Sequence, residues 1–149
     1  VLHRERFAHA ERTALACVPF VPTREQCDAD FPLLLTTGRT LHHFNAGTMT
    51  YRTPNRLLRP SDTLDMSPQD AHALGVMEGE RVNVCSRYGE AVLPVHISDR
   101  IKPGELFATF HLPSLQVNRL TSNEQDRLVH APEYKVTAVR VERQEQIAG

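Results

Sequence analysis

Residues 65–108 read DMSPQDAHALGVMEGERVNVCSRYGEAVLPVHISDRIKPGELFA, and the order of signals in this stretch decides the fold. Thr63-Leu64-Asp65-Met66 is a short strand feeding a helix. Ser67 suits the N-cap, Pro68 the first helical position, and Asp70 the positive end of the helix. Ala71, Ala73 and Leu74 carry a short helix, and Gly75 closes it in the left-handed conformation. After the turn at Met77–Glu80, Val82 and Val84 alternate with Arg81, Asn83 and Cys85, a period of two that predicts a strand. Arg87–Glu90 is a turn, and Ala91, Leu93, Val95 and Ile97 line one face of the next strand. Pro94 falls on the other face and predicts an edge or a bulge. Lys102-Pro103-Gly104 then turns the chain into a strand over Glu105–Phe110.

Outward from this stretch the pattern continues. Leu33–Leu35 is an apolar strand running into Thr36-Thr37-Gly38-Arg39. A long polar loop leads from Phe110 to Pro132. A last strand spans Lys135–Val141, with Val136 and Ala138 alternating against Thr137, Val139 and Val141. About six short strands, one capped helix and several long loops predict a mainly β domain, a barrel or a sandwich. Residues 31–149 form this body. Residues 1–30, with Pro19 and Pro22 barring a long helix or central strand, read as a connector from a preceding domain. The start Val-Leu-His rather than Met predicts a piece of something longer.

Composition narrows the function. A chain of 149 residues fits one domain with a core of its own. Its net charge of -1 gives no electrostatic support for nucleic-acid binding. No apolar run is long enough to span a membrane. Cys17, Cys27 and Cys85 are odd in number and lack metal-ligand spacing, so reduced thiols in a cytoplasmic setting are expected. No nucleophile elbow, zincin motif or credible carboxylate pair is present, and no catalytic or metal-ligating residue is expected. Adjacent side chains diverge, so His42-His43 is not a metal pair.

Charge placement says more. From Phe31 to Ser61 there is no Asp or Glu, yet Arg39, Arg52, Arg56 and Arg59 lie there. From Leu106 to Asn123 there is again no acid. A strand ending in a loop with Gly, Thr and Arg suits an anionic ligand, since backbone N–H groups, hydroxyls and a planar guanidinium fork all donate. The plainer reading is turn geometry plus a solvated basic face.

Three motifs carry a resemblance: TTGR with His43 four residues after Arg39, the LGV-x-x-G-x-x-V-x-V-x-S-R-x-G core, and Pro132-Glu133-Tyr134-Lys135 before the last strand. With them the chain resembles the C-terminal molybdopterin-dinucleotide-binding domain of the dimethyl-sulfoxide-reductase family of molybdenum and tungsten oxidoreductases, most of all the formate dehydrogenase alpha subunit. The strand–helix–G-x-x-x-G–strand order is likewise similar to a double-psi β-barrel. The resemblance implies a six-stranded barrel holding one face of a bis-molybdopterin guanine dinucleotide cofactor, in a subunit that oxidises formate to carbon dioxide. It implies that Arg39 approaches the cofactor's phosphates, with Thr37 and Gly38 supplying a hydroxyl and close backbone approach. Thr40, His43, Asn45 and Thr48 continue that loop. Phe110 and His111 end a strand near it, Asn118 faces the pterin side, and Tyr134 and Lys135 add an aromatic and a cation. The implied partners are preceding catalytic and iron–sulfur domains of the same subunit, with electron-transfer subunits beyond them. The chain alone is then expected to be inactive and free of cofactor. Two rivals stand: the equivalent domain of an assimilatory nitrate reductase or formylmethanofuran dehydrogenase, and a barrel used only for docking.

Overall fold

The computed structural model describes residues 4–5, 15–126 and 128–144; residues 1–3 and 6–14 of the expected connector lie outside them. Six strands form: β1 (Leu33–Gly38), β2 (Leu64–Met66), β3 (Arg81–Ser86), β4 (Glu90–Ile97), β5 (Glu105–Thr109) and β6 (Thr137–Arg143). They close into a barrel in the order β1-β5-β2-β4-β3-β6. Two pairs, β1 with β5 and β2 with β4, are parallel, and the remaining four are antiparallel. This is a mainly β, six-stranded double-psi barrel. Closure leaves no open sheet edge. Among the described residues, no helix is long and apolar enough to cross a membrane.

Period two explains the filling. Leu35, Leu64, Met66, Val82, Val84, Leu93, Val95, Leu106, Ala108 and Val139 all point inward and are essentially fully buried. Cys85, expected in the core although it alternates with Val82 and Val84, is buried, and that burial pushes its thiol up. The last strand begins at Thr137, two residues later than expected, with Thr137, Val139 and Val141 buried. Ala138 is buried too, but outside the core cluster, because residues 23–31 cover it. Pro94 sits within β4 rather than on an open edge. Val95 directs its N–H and C=O toward Glu80 and Gly79 on the β3 side, so position 94 faces the β2 side. There β2 pairs only from Leu64 opposite Val95 onward, so the missing N–H breaks no ladder bond.

Among the described residues two α-helices flank the barrel: α1 (Asn55–Leu58), which the sequence did not announce, and α2 (Pro68–Leu74). At the start of α2 the Ser67 hydroxyl accepts the Asp70 N–H at 3.0 Å, and at its end Gly75 takes φ 68°. The Asp70 carboxylate also accepts the Gly104 N–H at 2.9 Å, tying this helix to the turn before β5. Ser67→Ala is expected to lower stability by about 0.5–2 kcal/mol. A Cβ at Gly75 meets nothing within 4 Å. Gly75→Val therefore pays only for a β-branched residue in left-handed backbone, at least about 1–2 kcal/mol. Thermal denaturation should show both losses, Gly75→Val the larger; no change in either would remove the capped helix as a stabilising element.

The segment Thr23–Phe31 is a strap laid against the barrel. Buried Glu25 accepts from Arg87 Nη1 at 2.6 Å, the Tyr88 hydroxyl at 2.7 Å and the Ala138 N–H at 3.0 Å. Pairing of β6 with β3 begins at Val139, so Glu25 takes an N–H that the ladder leaves over. Asp28 receives the other arm of Arg87, and Phe31 lies under the Arg87 and Arg140 guanidinium groups at 4.9 and 5.4 Å.

Candidate functional site

Parallel pairing of β1 with β5 sets Gly38 opposite Thr109. Both strands therefore end at the same end of the barrel. The two acid-free loops, 39–61 and 110–123, consequently leave side by side. Hydrogen bonds join them: the Thr40 N–H donates to His111 Nε2 at 3.0 Å, and His111 Nδ1 lies 3.0 Å from the Asn45 carbonyl. The Pro132–Lys135 segment enters the same region. The Thr37 hydroxyl donates to the Tyr134 carbonyl at 2.7 Å, the Thr36 hydroxyl to the Lys135 carbonyl at 2.9 Å, and Lys135 Nζ to the Thr37 carbonyl at 2.5 Å.

Most of the residues singled out in the sequence are thus brought together. Arg39 is exposed, and its Nη2 donates to Asn45 Oδ1 at 2.9 Å, leaving its remaining N–H groups free of described partners. Asn45 holds φ 50°, a left-handed conformation that Asn tolerates better than most residues. Gly38 is buried, and the Phe107 ring lies so close that a Cβ at this position would stand 2.4 Å from it. Thr48 is exposed on the same loop, Tyr134 is half-exposed, and Phe110 packs beside His111 with ring centroids 5.5 Å apart.

Other expected residues do different work. The Thr37 hydroxyl is spent inside the fold. His43 is buried, with Nδ1 2.8 Å from the Thr50 hydroxyl and Nε2 2.8 Å from the Arg59 carbonyl. Its ring stacks on Tyr51 at 4.2 Å. A carbonyl can only accept, so Nε2 carries a proton and donates it to the Arg59 carbonyl. Both nitrogens are taken, and His43 braces the loop instead of facing a ligand. Arg59, one of the four arginines of the acid-free stretch, turns toward Thr63 and Asp65. Asn118 is exposed on a 3-10 turn, Val117–Arg119, whose Arg119 carbonyl packs against Gly89 of the β3–β4 turn. No described hydrogen bond links Asn118 to the 39–47 loop.

Sequence reasoning missed Asp62. It is fully buried, and its two oxygens accept the Thr109 hydroxyl and, at 2.6 Å, the Leu112 N–H. The available signal was its place as the first carboxylate after 31 acid-free residues (31–61), immediately before a strand. Tyr51 was missed as well. Burial, with Asp62 nearby, pushes its phenol up.

Buried polar atoms without partners test whether a ligand fits here. Among the described residues there are five such side-chain atoms: Thr40 Oγ1, His42 Nδ1, Tyr51 OH, Arg59 Nε and Thr137 Oγ1. Four belong to the 40–59 loop. Buried polar groups are normally satisfied, so this loop holds hydrogen-bonding capacity that the fold itself does not use. With the exposed guanidinium of Arg39 and the ammonium of Lys135, the donor set fits the phosphates of a dinucleotide. A cleft of about 660 Å³ lies elsewhere, between Val21–Arg24 on one side and Glu124–Asp126, Ala131 and Glu133 on the other. An open loop platform encloses no cavity by itself, so the donor chemistry outweighs the cleft as a guide to function.

Comparison with known proteins agrees with this fold. Acetylene hydratase from Pelobacter acetylenicus contains the same architecture, with a TM-score of 0.67 at 16% identity, over 76% of this chain and 18% of that one. Residues 33–138 match the Molydopterin dinucleotide binding domain family, and the chain belongs to it. It is 36% identical over 145 residues to the F420-dependent formate dehydrogenase subunit alpha of Methanocaldococcus jannaschii, covering 96% of this chain and 22% of that protein. It is 35% identical over 127 residues to the F420-dependent formate dehydrogenase 1 subunit alpha of Methanococcus maripaludis, covering 85% of this chain and 19% of that one. The chain spans about a fifth of the length of these relatives.

Proposed function

We propose that this barrel is the part of a formate dehydrogenase alpha subunit that clamps one side of a bis-molybdopterin guanine dinucleotide. The observation that carries the reading is the convergence of two acid-free loops at one end of the barrel, with Arg39 exposed and four buried polar atoms of the 40–59 loop left unpaired. Arg39, with the Thr40–Asn45 backbone, would face the phosphates. Lys135 and Tyr134 would close one side, and Asn118 with the 110–119 segment would reach the pterin side. The bound cofactor supplies the two-electron chemistry that turns formate into carbon dioxide; the chain's own residues bind and orient it.

The proposal includes partners. Leu41, Phe44, Met49, Leu57 and Leu58 project from the same loop region into solvent. An exposed apolar set of this kind is expected to be covered. The natural cover is the preceding catalytic and iron–sulfur domains of the same polypeptide, with electron-transfer subunits further out. The exposed free thiols of Cys17 and Cys27 accord with the reducing cytoplasm.

The test is a titration of the chain with GDP at millimolar concentration, followed by amide NMR. Shifts are expected in Thr37–Asn45 and at Asn118. Arg39→Ala should weaken the response roughly tenfold, the value of one charge-assisted hydrogen bond, and Arg39→Lys should restore it only in part. A response spread evenly over the barrel, or one that ignores Arg39→Ala, would favour the docking barrel.

A further inference from the structure

We infer that Asp62 and His111 form a positioning relay that presets Arg39, an inference that rests on Arg39 meeting the ligand's phosphates. The relay starts at Asp62, which holds both flanks of Phe110-His111 through the Thr109 hydroxyl and the Leu112 N–H. His111 is thereby fixed in a fully buried position. Its proton is placed by its partners. The backbone N–H of Thr40 can only donate, so Nε2 must be bare, and Nδ1 carries the hydrogen that the Asn45 carbonyl accepts. A single neutral imidazole thus grips both ends of the 40–45 turn.

The far end of that turn is where the relay acts. Asn45 sits at φ 50°, its carbonyl held by His111 and its side-chain oxygen taking Arg39 Nη2 at 2.9 Å. One arm of the guanidinium is therefore tied to a turn that buried His111 holds, while the rest of the fork stays exposed. A long, rotamer-rich side chain held in this way loses less entropy when it meets an anion. His111 and Asp62 touch no ligand in this scheme; they act through Arg39.

Two substitutions separate the halves of the grip. His111→Gln offers an acceptor near the position of Nε2, and His111→Asn a donor near that of Nδ1. In the ligand-free chain, hydrogen exchange at the Thr40 amide should speed up roughly tenfold in His111→Ala and His111→Asn, the loss of one hydrogen bond, and stay near wild type in His111→Gln. GDP titrations then form a double-mutant cycle with Arg39→Ala. His111→Ala or Asp62→Asn should weaken GDP several-fold when Arg39 is present and leave it unchanged in the Arg39→Ala background. If His111→Ala does not fold, the Gln and Asn variants carry the same comparison. Unchanged exchange at Thr40 overturns the relay. Equal weakening in both backgrounds overturns its action through Arg39. If GDP perturbs neither loop of the wild-type chain, the ligand assignment fails while the exchange result still judges the brace.

Discussion

Glu25→Ala is expected to lower the stability of the barrel by about 1–4 kcal/mol, one of the two largest losses expected here. The side chain is nearly fully buried and accepts from three donors. Arg87 keeps Asp28 as a partner and is about a third exposed, so its loss is modest, at most about 1 kcal/mol. Tyr88 is 41% exposed and can turn to water. The Ala138 N–H cannot, because it is enclosed by the strap and β6; leaving such a donor unsatisfied costs about 1–3 kcal/mol. For a chain of this size the sum lowers the melting temperature by roughly 2–16 °C. Glu25→Gln, which keeps one acceptor oxygen, should fall between. If the melting temperature of Glu25→Ala stays where it was, the strap is decoration and not structure.

The same contact has an alkaline signature. The Tyr88 hydroxyl donates to the Glu25 carboxylate, which together with partial burial pushes its phenol up to about 12 from an ordinary 10.0. The raised value belongs to the folded state, so the contribution is complete below about pH 10 and is lost as pH climbs from there through about 12. Tyr88→Phe should flatten that part of the stability curve.

Much of this fold was legible because its signals are local. The α2 helix announces itself in Ser67, Pro68, Asp70 and Gly75, each of which acts on backbone within a turn of itself. Strands β3 and β4 show in alternation, since only one of their faces meets the core. What closes the barrel could not be read, because it depends on pairings between distant residues. Leu35 lies opposite both Leu106 and Thr137, and nothing in the local pattern of either partner names the other. Glu25 reads as one more charge in a connector; its partners lie 62 to 113 residues away.

The site divides the same way. Missing carboxylates in 31–61 and 106–123 are visible in the sequence, and the parallel pairing of β1 with β5 gives them their meaning. The internal duties of His43, Thr37 and Arg59 are not visible. A histidine that faces a ligand and one that props a loop carry the same letter, and only the Thr50 hydroxyl and Arg59 carbonyl on its ring nitrogens separate them.

Gly47→Val is the second large loss, and it joins stability to the site. Gly47 holds φ 67°, where a β-branched side chain costs at least about 1–2 kcal/mol. A Cβ there would also stand 2.3 Å from the Tyr51 ring and 2.8 Å from the His111 carbonyl. The carbonyl is backbone and yields little. The ring is stacked on His43 and cannot move without uncovering it. Overpacking of this kind adds about 1–3 kcal/mol, for a total of about 2–5 kcal/mol. Gly79 provides the control: it has φ 76° but nothing within 4 Å of a Cβ, so Gly79→Val pays the backbone cost alone. The difference between the two variants in thermal denaturation isolates the clash with Tyr51 and His111. Relief of that clash pushes the turn away from His111, so the Thr40 and Asn45 amides should shift in Gly47→Val and the GDP response centred on Arg39 should fall with them. Equal melting temperatures for the two variants would mean that the 44–51 turn is free to move, and that neither Tyr51 nor His111 holds it against the barrel.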